Sequence, residues 1–415
     1  MWNRKYQDRA PDAGIAQRSD PAAQAAPDSS LMRGGPFHRL QQTLHLEDPL
    51  NPRTVRRAFL FAIFSWLPLA ALAAVQGLAI NDDPRRSLLL DFTVYARFLM
   101  AIPLFIIGES VADLRFSTIV NYLLGSGIVT GSERQAFDDL LSDTRRLRDS
   151  RAADILWLVL AYAGAFLSVS YHVRSEPYTW VVDGAAGWSP LSWAGSWYAA
   201  VSLPLFQFLL YRSIWSWFIW VLFLRRLSRF RLRLTPTHPD LAGGLNILGD
   251  SPYAIAVFVF AVGSVLSAAM AKQVMYTGAS VVSYNKVFIV YLFLAMLISF
   301  GPLLIFTGKL DRLRQRGLRD YGTLVCRHAQ LFDEKWIKRT EVTEDTVDIP
   351  LGSSDVSSIS GLNSNYDMVK RTKFFPFGVR ALVVLAAAAL TPMIPLVLIE
   401  VPLQEILRAI AGFIF

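Results

Sequence analysis

Seven stretches of the chain are apolar all round rather than along one stripe: residues 58–80, 88–112, 153–173, 197–224, 253–276, 287–307 and 381–399. A hydrocarbon core of ~30 Å takes about 20 helical residues to cross, so the pattern predicts seven transmembrane helices. Runs such as AFLFAIFSWLPLAALAAVQGLAI lack the period-two alternation of a barrel strand and are about twice its length. The expected fold class is an all-α integral membrane protein in which each span satisfies its own backbone.

The polar segments carry a second pattern. Within 115–152, Thr130 and Glu133 have capping-box spacing, and Phe137, Leu140, Leu141 and Leu147 follow at helical intervals. Within 308–380, Leu310, Leu313, Tyr321, Leu324, His328, Leu331 and Trp336 form a similar stripe. The stripes predict helical extensions that pack on each other, the second continuing the sixth span. Residues 341–367, EVTEDTVDIPLGSSDVSSISGLNSNYD, show no period and predict a flexible loop. Leu403, Ile406, Leu407, Ile410 and Phe413 behind Pro402 predict a short amphipathic helix in the outer interface. Residues 1–57, with the tract PDAGIAQRSDPAAQAAPDSS, predict a disordered basic tail without the apolar core of a signal peptide. Residues 58–415 then make one polytopic domain.

Charge sets the direction. Lys and Arg number nine in the tail, six in 115–152, five in 225–252 and thirteen in 308–380, which is 33 against five in the alternating segments. The positive-inside rule places the N-terminus in the cytoplasm and the C-terminus outside. The same bias explains the net charge of +8 and implies contact with anionic lipid headgroups at the cytoplasmic face. Basic residues dispersed over helix ends do not make the clustered face that nucleic acid requires. The composition, 53% hydrophobic and 18% charged, excludes a disordered chain and an ordinary soluble enzyme, for which charge runs at about 25%. The single Cys326 provides no internal disulfide. A bacterial cytoplasmic (inner) membrane is the expected location.

Ionisable residues inside spans are functional candidates. Asp91, Arg97, Glu109 and Asp113 fall in or beside the second span, Arg212 in the fourth, Lys272 in the fifth, and Glu400 at the end of the last. Counted from opposite ends of their spans, Arg97 and Arg212 come out at comparable depth. With Lys272 above them they suggest an electropositive vestibule for an anion. In the structural alternative Asp91 or Glu400 neutralises Arg97 and Arg212 pairs with a neighbouring helix, while Glu109 and Asp113 are solvated near the cytoplasmic boundary. Pro392 and Pro395 in ALTPMIPL predict a kink in the last span, and two prolines three apart can also open its hydrogen-bond ladder.

The segment Thr235–Asp250, TPTHPDLAGGLNILGD, places His238, Asp240, Gly243 and Gly244 on the cytoplasmic side. Its Pro, Asp and Gly content suits a tight capped turn, and His238 with Asp240 could bind an ion or accept a proton. His-Pro-Asp also occurs in soluble J-domain cochaperones, but membrane spans flank it here. This loop and the closing TPMIPLVLIEVPLQEILRAI resemble a group of uncharacterised bacterial polytopic membrane proteins with an HPD-x-x-GG-type loop. The resemblance implies location and brings no activity or site residues.

No zinc pair, phosphate loop or nucleophile elbow is present. An enzyme is therefore the less favoured class, and no cofactor or metal is expected. The leading reading is passage or transport of a small anionic solute along Arg97, Arg212 and Lys272. The alternative is a membrane-anchored scaffold or signalling subunit that binds a cytoplasmic protein, or a second copy of itself. A reporter fused after Phe415 should register outside the cytoplasm; a cytoplasmic signal there would require a different number of spans.

Overall fold

The computed structural model describes residues 52–175, 179–182, 191–338 and 354–400. Helices account for nearly all regular structure among them: α1 Pro52–Val75, α2 Ile102–Gly125, α3 Gly131–Arg148, α4 Arg151–Ser175, α5 Leu203–Leu227, α6 Ser251–Thr277, α7 Asn285–Phe300, α8 Thr307–Phe332, α9 Ser354–Lys370, α10 Val379–Leu390 and α11 Ile394–Glu400. Among the described residues seven helical stretches are long and apolar enough to span a membrane. Residues 1–51 of the expected disordered tail and the segment 401–415, with its expected amphipathic helix, lie outside the described residues, whereas residues 52–57 of that tail are helical and form the first turns of α1.

Burial is inverted relative to a soluble bundle. Helix α1 turns Phe59, Ile63, Phe64 and Leu67 outward and packs through Ala58, Ala62, Leu69 and Ala73. Helix α4 likewise exposes Ile155, Val159 and Phe166 and buries Ala161 and Ala165. Lipid is as apolar as a leucine side chain, so small residues at the seams let helices approach closely. Two cores result. One gathers Phe98, Ile102, Phe105, Tyr198 and Phe206; the other gathers Phe116, Trp220, Phe223, Leu245 and Leu310, with the Phe116 and Trp220 rings stacked at 4.0 Å.

The span limits shift where turns intervene. Helix α1 stops at Val75, short of residue 80, and the chain turns through Gly77. The second span runs as one helical stretch over Phe92–Gly125. An apolar count stops at the charge of Asp113, but Asp113 is buried and the helix continues past it.

One end of the bundle, here the basic end, brings together residues 126–130, the segment 228–250, the start of α8 and residues 369–378. Arg233 N donates to Ile128 O at 2.8 Å and Lys373 N to Leu241 O at 2.7 Å. Two expectations fail here. The α3 stripe packs against the end of α5, with Phe137 edge-on to Phe223 at 6.2 Å and to Phe230 at 6.2 Å, and not on the α8 stripe. Helix α8 instead pairs with α9, inside the segment expected to be a loop. Ile359, Leu362, Tyr366 and Val369 repeat every three or four residues and turn inward, a helical period diluted by Ser, Asn and Gly. Lys335 and Trp336 both reach Asp355 at the hairpin tip. Helix α3 does begin at the expected place, but the Thr130 hydroxyl meets Ser132 Oγ at 3.1 Å and forms no capping bond.

Gly317 is where α8 meets its neighbours. A Cβ there would lie 2.7 Å from Val369 Cγ1 and 2.9 Å from Pro236 Cβ. Gly317→Ala should lower stability by about 1–3 kcal/mol through overpacking. The same change in a Val369→Ala background should cost measurably less, a coupling that thermal melts of the four proteins would detect.

Candidate functional site

The two charged spans contain matched irregularities. Residues Tyr95–Ala101 and Tyr198–Ser202 are wound as π-turns, and each precedes a proline, Pro103 or Pro204. A proline ring clashes with the carbonyl four residues back, which is residue 99 or 200, inside each widened turn. The π-turns absorb that clash, and such turns often mark functional sites. They also face each other: Arg97 Nη1 donates to Tyr198 Oη at 2.8 Å. The Tyr198 ring is held edge-on by Trp180 at 5.3 Å and by Phe98 at 6.0 Å.

Asp91 sits beside this pair at the end of the bundle away from the basic end. It caps the first turn of its helix, accepting from Thr93 N at 3.1 Å and Thr93 Oγ1 at 2.5 Å. Its other oxygen accepts from Trp180 Nε1 at 3.1 Å and from Lys272 Nζ at 3.2 Å. Four donors fill the acceptor sites of one carboxylate. The partner of Asp91 is therefore Lys272, where the sequence reading had offered Arg97.

Arg212 lies deeper, with 7% of its surface exposed. Its Nε and Nη2 donate to Glu109 Oε1 at 3.2 and 2.7 Å, so Glu109 is an ion-pair partner and not a solvated boundary residue. Phe105, Ala112, Leu209, Ser213, Ser216 and Phe258 enclose a void of about 10 Å³ beside the pair, the room of a single water. Arg97 and Arg212 do not share a level. Arg97 bonds Tyr198, fourteen residues before Arg212 on the same helical stretch, which separates the two by about 20 Å at 1.5 Å per residue. Buried Phe98, Ile102 and Phe105 fill the interval, and Phe105 also meets Phe206 and Phe258 at 5.9 and 6.4 Å. Counting from opposite span ends produced the false level, because Arg97 lies five residues and Arg212 nineteen residues from the head of its own helical stretch.

Of the remaining candidates, Pro392 lies in the 3₁₀ turn Thr391–Met393 between α10 and α11, and Pro395 is the second residue of α11. The Glu400 side chain lies outside the described ones. Trp180 and Tyr198 were missed: neither is ionisable at neutral pH, and nothing in the sequence shows a π-turn.

The loop residues 235–250 form a separate, closed arrangement at the basic end. Asp240 accepts from the backbone N–H groups of Ala242, Gly244 and Asn246 at 2.8, 3.1 and 3.1 Å, and its Oδ1 lies 2.8 Å from His238 Nδ1. Leu241, Gly243 and Gly244 have φ of 58°, 63° and 97°, which turns successive N–H groups toward one anion in the manner of a nest. Asp240 itself is that anion. A Cβ at Gly243 would strike Leu313, and one at Gly244 would lie 2.7 Å from Ile128 Cδ1. Lys373 Nζ binds Asn246 Oδ1 at 3.1 Å from the other side. His238, Asp240, Gly243 and Gly244 thus come together as a turn that ties α8 and residues 371–378 to the bundle. Among the described residues no group of three His, Cys, Asp or Glu side chains is placed to hold a metal ion.

Burial alone would raise the Asp240 pKa; the three amides and His238 outweigh it and hold the carboxyl below its ordinary value. A depressed native pKa contributes stability that is present above the unfolded value, about 3.9, and is lost as pH falls through the native one. Asp240→Asn should lower stability at pH 7 by about 1–3 kcal/mol. Melts of detergent-solubilised protein should show its gap to wild type closing below about pH 4.

Family models, curated proteins and solved structures were each compared with this chain, and none matches.

Proposed function

We propose that this chain is a transporter of small anionic solutes in a bacterial cytoplasmic membrane, its basic end in the cytoplasm and Arg212 its central binding cation. The observation that carries the reading is the Arg212–Glu109 pair, 2.7 Å apart on facing helices in the middle of the bundle. Charges at that depth are costly and are retained mainly for function. The excess of Lys and Arg on alternate segments supports the orientation.

Glu109 acts in this scheme as a resident anion. A solute anion takes its place on Arg212 when the Glu109 carboxylate moves aside. Arg212 on α5 is the cation facing Glu109, and Asp113 lies one turn along its own helix. Helix α1 carries charge only in its first turns, and α6 only at Lys272. At the far end Lys272 is held by Asp91 and Arg97 by the Tyr198 hydroxyl. The aromatic layer around Phe105 separates that end from Arg212, so the described conformation is a closed one.

Proteoliposome flux of a carboxylate and phosphate panel tests this. Wild type should carry at least one anion. Arg212→Gln should lose that flux at least tenfold while still folding. Equal flux in Arg212→Gln would overturn the reading. Absence of flux for every anion, together with a protein that co-purifies through α8 and α9, would replace it with the scaffold.

A further inference from the structure

Beside the Arg212–Glu109 pair lies a second, larger space. A cavity of about 370 Å³ opens between α2, α5, α6 and α7, within the range of small-molecule sites. Ile214, Leu294 and Ile298 border it and are 50%, 45% and 41% exposed, so its mouth faces the bilayer and not either aqueous end. Trp217 bridges the gap at one edge, its Nε1 donating to Ile298 O at 3.1 Å. The Tyr291 hydroxyl is already bound to Val259 O. Deeper in, Phe105, Ala112, Ser213, Ser216 and Phe258 line both this cavity and the water-sized void at Arg212.

An apolar chamber that opens sideways to lipid and shares a wall with the void beside a guanidinium has the shape of an amphiphile. The group on that guanidinium is a carboxylate, that of Glu109, so another carboxylate is the closest chemical substitute for it. We propose that the solute is a long-chain carboxylate that enters laterally from the bilayer, its hydrocarbon chain in the cavity and its headgroup on Arg212. This rests on the transport reading and names its substrate class. Burial of the hydrocarbon chain is favourable relative to water. Within a bilayer that gain is already made, so discrimination rests on the headgroup. The chain fixes the route of entry and Arg212 fixes the choice of acid over alcohol.

The test uses 9,10-dibromostearic acid as a heavy-atom quencher of tryptophan fluorescence, with the purified full-length protein in nanodiscs. Quenching should saturate, and most of the saturable part should vanish in Trp217→Phe. Arg212→Gln should weaken binding of the acid at least tenfold and leave the matching dibromo alcohol unaffected. Ala295→Phe should abolish saturable quenching by filling the cavity; should that variant not fold, Ile298→Phe narrows the mouth from the lipid side and should weaken it. Equal, non-saturating quenching by acid and alcohol, or an acid affinity indifferent to Arg212, would overturn the proposal. Arg212-dependent flux of acetate or phosphate without saturable quenching would overturn the substrate class and leave the transport reading standing. Loss of both would remove the two together.

Discussion

A charge inside a hydrocarbon slab must find its counter-charge within the protein, and that requirement ties this bundle together. Asp91 at the head of the second span reaches Lys272 on α6 and Trp180 in the connection before α5. Glu109, farther down the same helical stretch, reaches Arg212 on α5. The second span is thus fixed to its neighbours at two levels. Removing one member of a buried pair strands the other, typically at about 3–5 kcal/mol. The register of α2 against α5 and α6 follows from these contacts, because apolar seams of Ala, Leu and Phe tolerate sliding far better than an unpaired carboxylate does.

Proline supplies the second constraint. Pro103 and Pro204 interrupt the ladders of the two spans that carry the arginines, and each is preceded by a π-turn. A π-turn adds a residue to the local repeat, and so rotates the helix face beyond it. The result is two polar levels, one at the far end and one in the middle, with Phe98, Ile102 and Phe105 between them.

The spans were legible in the sequence because an all-round apolar run of 20 residues has one physical solution in a bilayer. Pairing was less legible. The stripe on α3 announces a buried face but not the surface that buries it, and the ring of Phe137 went to Phe223 and Phe230 on α5 and just beyond it. Helix α9 was hidden because Ser, Asn and Gly mask the period of Ile359, Leu362, Tyr366 and Val369, and because its stability comes from packing on α8. The loop 235–250 was read correctly as a tight turn from its Pro, Asp and Gly. That its carboxylate is consumed by its own backbone depends on φ values, which composition does not reveal. At the candidate site the ionisable members were visible one by one, yet their partners were fixed by helix rotation, and the π-turns that set the rotation leave no mark in the sequence.

The two halves of the structure are mechanically joined at the basic end. Helices α5 and α6 form two walls of the lateral cavity, and the segment that connects them is the loop held by Asp240. That loop is clamped from outside: a Cβ at Gly249 would lie 2.6 Å from Pro376 O, and Lys373 bonds both Leu241 and Asn246. The backbone there has no room to slip, with Leu241 already held at φ 58°, a conformation a leucine adopts only under packing constraint. A rotation of α5 that widened the cavity or parted Arg212 from Glu109 would therefore strain this turn and draw residues 371–378 with it. Those residues join α9 to α10, and α10 packs against α6 and α7. The α8–α9 hairpin is thus coupled to the ion pair through a rigid turn, and the intramembrane site and the basic end are expected to move as one unit.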